Sequence, residues 1–126
     1  MEPQDLVHRW HEDPQYPLTP RQTSIRLPID VAAKVAALCE IYPARTKSEI
    51  IADLVTSSIE QLVRALPSEK GELLEVESVS GQVRVYQDIG LKGRYLEATA
   101  RHLRHLEQEV GYPEPIPVPL PHVRML

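Results

Sequence analysis

Gln22-Thr23-Ser24-Ile25-Arg26-Leu27-Pro28, "QTSIRLP", alternates polar and apolar side chains and gives way at Pro28 to a helical pattern. Alternation at a period of two marks a strand with one buried face. A lone strand leaves its row of backbone N–H and C=O groups without partners. The following forty residues contain no second strand pattern. The partner of this strand must therefore come from elsewhere.

Beyond Pro28, "IDVAAKVAALCEIY" sets Val31, Val35, Leu38 and Tyr42 on one helical face, with Ala32, Ala36 and Cys39 beside them. Pro43 ends this helix, because the residue before a proline is pushed out of the α region. "TKSE" then opens a second helix over roughly residues 47–65. Thr46 caps its exposed N–H groups, and Glu49 returns the bond three residues later. Ile50, Ile51, Leu54, Val55, Ser58 and Leu62 form the apolar stripe of that helix, and Ala52, Ser57 and Ser58 are small enough for close packing. Two short amphipathic helices and one strand cannot enclose a core by themselves. The arrangement calls for a second copy of the chain.

From residue 66 the character changes. "LLEVESVSGQVRVYQDIG" alternates around Ser80-Gly81, with Val76, Val79, Val83 and Val85 at β-branched positions, and reads as a hairpin. "RYLEATARHLRHLEQEV" spaces Leu96, Thr99, Leu103, Leu106 and Val110 as a helical seam, stopped by Gly111 and Pro113. Leu96, Leu103 and Leu106 are expected to face inward.

The 126-residue chain suits one domain, or a very small domain with a second element. Nine of its twelve prolines lie at the two ends, so residues 1–20 read as a flexible arm and residues 112–126, "YPEPIPVPLPHVRML", as a proline-rich tail. Between them lie a helix-rich segment, 21–65, and a hairpin-helix accessory region, 66–111. No apolar run approaches the roughly 18 to 20 residues that span a bilayer. The first residues also lack the apolar core of a signal peptide. With Cys39 as the single cysteine, a soluble protein of the reducing cytoplasm is expected. The net charge of −4 is unevenly distributed. Residues 21–65 carry six basic against five acidic side chains, whereas residues 1–20 carry one against four and residues 66–126 seven against nine.

The order of strand, helix, turn and capped helix, with "SIRLP" before the first helix and "RTKSEI" opening the second, resembles the ribbon-helix-helix family of the Arc and MetJ type. The resemblance covers about residues 21–65. It implies an α+β, mostly α, fold in which two chains pair their strands into an antiparallel ribbon that enters the major groove, here with a hairpin-helix extension. The turn between the helices in that family usually carries glycine, where this chain has Pro43 and Ala44.

In such a ribbon Ile25 and Leu27 pack inward with Val35, Leu38, Ile50 and Leu54 as the dimer core, while Gln22, Ser24 and Arg26 face the bases. Those side chains have the right chemistry for base edges, since Arg grips guanine O6 and N7, Gln pairs with adenine N6 and N7, and Ser serves either. At the start of the second helix, Arg45, Thr46, Lys47 and Ser48 are expected to hold phosphate, since a helix N-terminus attracts anions. Two alternatives offer themselves for other side chains. His102 and His105, with Glu109 one turn on, have metal-like spacing, as do His8 and His11, but a metal site generally needs three or four ligands and no cysteine pair accompanies either set. Cys39 falls on the buried side of its helix, as a core thiol does. No motif of an enzyme or cofactor site is present.

The expected function is that of a homodimeric, sequence-specific transcriptional repressor acting on double-stranded DNA, with dimers of dimers on DNA as an extension. One alternative is the antitoxin of a toxin–antitoxin pair, binding a protein partner through residues 66–126. A third keeps the fold and changes the role to plasmid partition, relaxosome assembly or phage regulation.

Overall fold

The computed structural model describes residues 4–5, 17–78 and 81–126. Among these, three long helices and a three-stranded antiparallel sheet make an α+β chain. The chain divides into two compact units, Met1–Ala65 and Leu66–Leu126. Most of the N-terminal arm, with His8 and His11, lies outside the described residues.

The first unit contains α1 (Ile29–Ile41) and α2 (Lys47–Ala65). No side chain caps the start of α1, which follows directly on Pro28. At its other end the Tyr42 N–H still donates to the Leu38 carbonyl, at 2.9 Å, before Pro43 stops the helix. Arg45 N–H then donates to Tyr42 O at 3.1 Å, closing a turn with Pro43 and Ala44 at its centre. No described non-glycine residue has positive φ. The reversal thus uses the conformation that proline favours at its first central position, and glycine is not required.

Ile50, with no exposed surface, is the centre of the core of this unit, and Leu38, Cys39, Tyr42 and Leu54 pack around it. Val35, 4% exposed, is the other buried apolar side chain among the described residues of the unit. Ser57 of α2 is buried as well. Residues 22–28 run extended into α1 and join no strand pairing among the described residues.

The second unit is built on β1 (Lys70–Glu77), β2 (Val83–Asp88), α3 (Leu91–Val110) and β3 (His122–Met125), with the sheet ordered β1-β2-β3. β1 and β2 form the expected hairpin, pairing Glu77 with Val83 and Val76 with Arg84, with irregular register between Lys70 and Glu75. Of its turn, Gly81 has φ 114° and needs the freedom of glycine, whereas Val79 and Ser80 lie outside the described residues. Val85, at the centre of β2, is completely buried.

Buried Asp88 joins β2 to α3. Its Oδ1 accepts the Glu69 N–H at 3.0 Å and the Gly90 N–H at 2.9 Å. Burial by itself pushes this carboxyl up, but the Glu69, Ser68 and Gly90 hydrogen bonds and the Lys92 charge outweigh it, so its pKa lies below the ordinary 3.8. Helix α3 approaches so closely that a Cβ at Gly93 would overlap the Asp88 carbonyl oxygen. At the far end Gly111, with φ 69°, ends α3, and Tyr112 N–H returns to Glu107 O at 2.9 Å.

The proline-rich tail departs from the sequence expectation. Residues 112–126 turn back along the unit, and His122–Met125 pair antiparallel with β2, Tyr86 opposite Val123. The prolines do bar residues 113–121 from contributing a regular ladder. The four residues after Pro121 are proline-free, however, and the Pro121 carbonyl accepts the Asp88 N–H at 2.7 Å. A second clamp lies along the return path. The buried Glu107 carboxylate accepts the Ile116 N–H at 2.6 Å and pairs with Arg104 at 2.5 Å, while Arg104 Nη2 donates to the Ile116 carbonyl at 2.7 Å. The Ile116 hydrogen bond chiefly, and Arg104 with it, hold the Glu107 pKa below the ordinary 4.5 despite burial.

The inward set on α3 also differs. Gly93 and Glu107 are buried and Leu96 and Leu103 half-buried, but Leu106 is partly exposed on the adjoining face.

Candidate nucleic-acid interface

Ile25 and Leu27 in the extended segment line an apolar groove of about 290 Å³, together with Val31 and Val35 of α1 and Ile51, Leu54, Val55, Ser58, Ile59 and Leu62 of α2. Several of these side chains remain open to water in the single chain: Ile25 is 59% exposed, Leu62 62% and Val55 47%. Extended backbone sends successive side chains to opposite sides. With Ile25 and Leu27 at the groove, Ser24 and Arg26 face away from it, and Gln22, Ser24 and Arg26 are all exposed.

The start of α2 has the capping box read from "TKSE". Glu49 N–H donates to Thr46 Oγ1 at 3.1 Å, and Thr46 N–H donates to Glu49 Oε1 at 3.4 Å. Arg45 Nη1 reaches Glu49 Oε2 at 3.2 Å. The Arg45 hydrogen bond chiefly, followed by those from Thr46, lowers the Glu49 pKa from its ordinary 4.5. The carboxylate is therefore ionised at neutral pH and complements the positive end of the helix. Lys47 and Ser48 stand exposed in the same turn. Their backbone N–H groups have no carbonyl one turn earlier in the helix to bond to.

The structure thus separates the residues singled out in the sequence into four groups, the exposed Gln22, Ser24 and Arg26 forming the first. Val35, Leu38, Ile50 and Leu54, read as dimer core, already pack within one chain, and Val35 and Leu54 also reach the groove. Ile25 and Leu27 line the groove. Arg45, Thr46, Lys47 and Ser48 gather at one helix end, with Arg45 engaged by Glu49. Sequence reading missed Ile59, which lies four residues beyond Val55 and belongs to the same stripe. It also missed the bond from Arg45 to Glu49, although their i, i+4 spacing signals it.

Comparison with family models, curated proteins and solved structures gives no match to this chain. Among the described residues, no group of three or more His, Cys, Asp or Glu side chains is arranged to hold a metal ion. No described helix is long and apolar enough to cross a membrane.

Proposed function

We propose that two copies of this chain close their grooves on each other, pair residues 22–28 into an antiparallel ribbon, and use that ribbon to read DNA as a transcriptional repressor. The observation that carries this reading is the groove. Its apolar lining runs continuously from Ile25 and Leu27 onto both helices, and it borders a backbone segment that joins no sheet among the described residues. A second copy satisfies both needs together: its strand supplies the missing backbone partners, and its groove covers the apolar side chains. In the resulting ribbon Gln22, Ser24 and Arg26 of both chains project from the outer face toward base edges. The Lys47 ammonium and the first-turn N–H groups of α2 fix the dimer on phosphate. The capping box keeps this turn formed, and Thr46 and Glu49 serve it before any ligand arrives.

Base reading and phosphate anchoring separate by mutation. Arg26→Ala is expected to cost about 1 to 3 kcal/mol on the cognate duplex and to relax discrimination at one base pair in each half-site. Lys47→Ala is expected to weaken cognate and scrambled duplexes alike and to reduce the salt dependence of binding by roughly one unit of slope per lost contact. The check is a titration of each variant against a selected operator and a scrambled duplex at two salt concentrations. Equal loss on both duplexes for Arg26→Ala would make the segment an electrostatic anchor and remove the base-reading role.

A further inference from the structure

Helix α3 carries an apolar groove of about 430 Å³ along one side, lined by Tyr95, Ala98, Thr99, His102, Leu103 and Leu106. Thr99 Oγ1 donates to Tyr95 O at 2.7 Å, so its hydroxyl is already satisfied within the helix. From Tyr95 to Leu106 the groove runs roughly 16 Å, about three helical turns. Larger side chains stand toward its two ends, with the small Ala98 and Thr99 between them. That waist lets the side-chain ridge of a second helix settle close to α3.

Charge lies along one border of the groove. Ala98 has Arg94 four residues before it and Arg101 three after, the spacings at which side chains on a helix are neighbours. Both arginines are exposed, and neither guanidinium is paired with a carboxylate among the described residues. His105, next in the same row, is balanced by Glu109 at 3.5 Å. Glu97 stands on the opposite side of the helix. Arg94 is also placed against the local electrostatics, because the first turn of α3 contains no acidic residue and its N–H groups already make that end positive. Lys92, in the same turn, is offset by the buried Asp88 carboxylate.

We infer that this groove receives an acidic amphipathic helix of another protein, its apolar stripe seated between Tyr95 and Leu106 and its carboxylates on Arg94 and Arg101. Helix-in-groove contacts use apolar anchors about one turn apart, and the three-turn lining suits them. The two arginines at the border select carboxylates over ammonium groups. Nucleic acid would engage the arginines but leave the apolar lining uncovered. The inference uses only the second unit and stands apart from the DNA reading of the first.

Fluorescence anisotropy with the full chain tests it. The probe is a labelled helical peptide of about four turns, with leucine at every third or fourth position and glutamate beside each leucine; its counterpart has lysine for glutamate. The acidic peptide should bind about tenfold tighter than the basic one at low salt, and the difference should shrink as salt rises. Arg94→Glu with Arg101→Glu should reverse the preference, and Leu106→Gln should weaken both peptides. Arg94→Glu puts an acid in the first turn, which favours the helix, so its effect is not a loss of fold. Equal binding of the two peptides, or a preference that ignores the charge reversal, would overturn the inference. So would a Val55→Asp chain that still dimerises and loses its dimers on Leu106→Gln, which would give the face to a second copy. Loss of affinity for scrambled duplex DNA in the double arginine variant, with no binding of the acidic peptide to the unaltered chain, would overturn it in favour of nucleic acid.

Discussion

Val55→Asp should convert the chain to a monomer and abolish its binding to operator DNA. Val55 is 47% exposed in the single chain and lines the groove, so a carboxylate there is hydrated while the chain is alone. Closing two grooves on each other would bury two such charges without partners. An uncompensated buried charge costs about 3 to 5 kcal/mol, and two of them raise the dimer dissociation constant by about four orders of magnitude or more. Sedimentation should show a single chain at micromolar concentration, and gel shift should show no operator complex. A Val55→Asp chain that remains dimeric and binds operator would place the interface elsewhere. The exposed Lys47→Ala variant should stay dimeric, which separates loss of assembly from loss of phosphate contact.

The second large effect lies in the other unit. Asp88→Ala removes the acceptor of the Glu69 and Gly90 N–H groups at a buried position. Leaving buried donors unsatisfied costs about 1 to 3 kcal/mol each, so denaturant unfolding should show that unit destabilised by roughly 3 kcal/mol. The pH dependence follows from the sign of the shift. The folded-state pKa of Asp88 lies below its ordinary 3.8. Its contribution is therefore complete above that value and is lost as pH falls through the folded-state value, where the carboxyl takes up its proton. Glu107 and Glu49, both lowered from 4.5, act in the same direction. Stability should decline as pH drops below about 4.5, and Asp88→Asn should flatten part of that decline. An unchanged acid limb in Asp88→Asn would assign the loss to other groups.

The two units were legible in the sequence to different degrees, for physical reasons. Local signals carried the first. Pro43 marks the end of α1, "TKSE" spells the capping box of α2, and the helical stripes follow residue spacing, so the bounds of both helices could be read directly. Short-range contacts within one turn decide these features. The groove was legible as two separate stripes, but its continuity with Ile25 and Leu27 needed the packing of the elements around it.

In the second unit the hairpin showed through its alternation, and Gly111 marked the end of α3. β3 did not show. Its four residues follow a run in which every second residue from Pro113 to Pro121 is proline, and that composition outweighs so brief an alternation. Its place in the sheet depends on Asp88, Glu107 and Arg104, whose bonds to Pro121 and Ile116 join positions far apart in the chain. Asp88 and Glu107 look in sequence like ordinary surface carboxylates. Only the returning backbone shows why they are buried.

Thermal unfolding of the full chain over a hundredfold range of concentration tests the central claim, that a second copy completes the first unit. Among its described residues one chain buries few apolar side chains there, with Ile50 and Val35 buried and the groove open, so most of the core of that unit is to be formed between copies. Its melting midpoint should rise with each increase in concentration, as it does when folding and association are one equilibrium. A midpoint that stays constant across the whole range would contradict the claim.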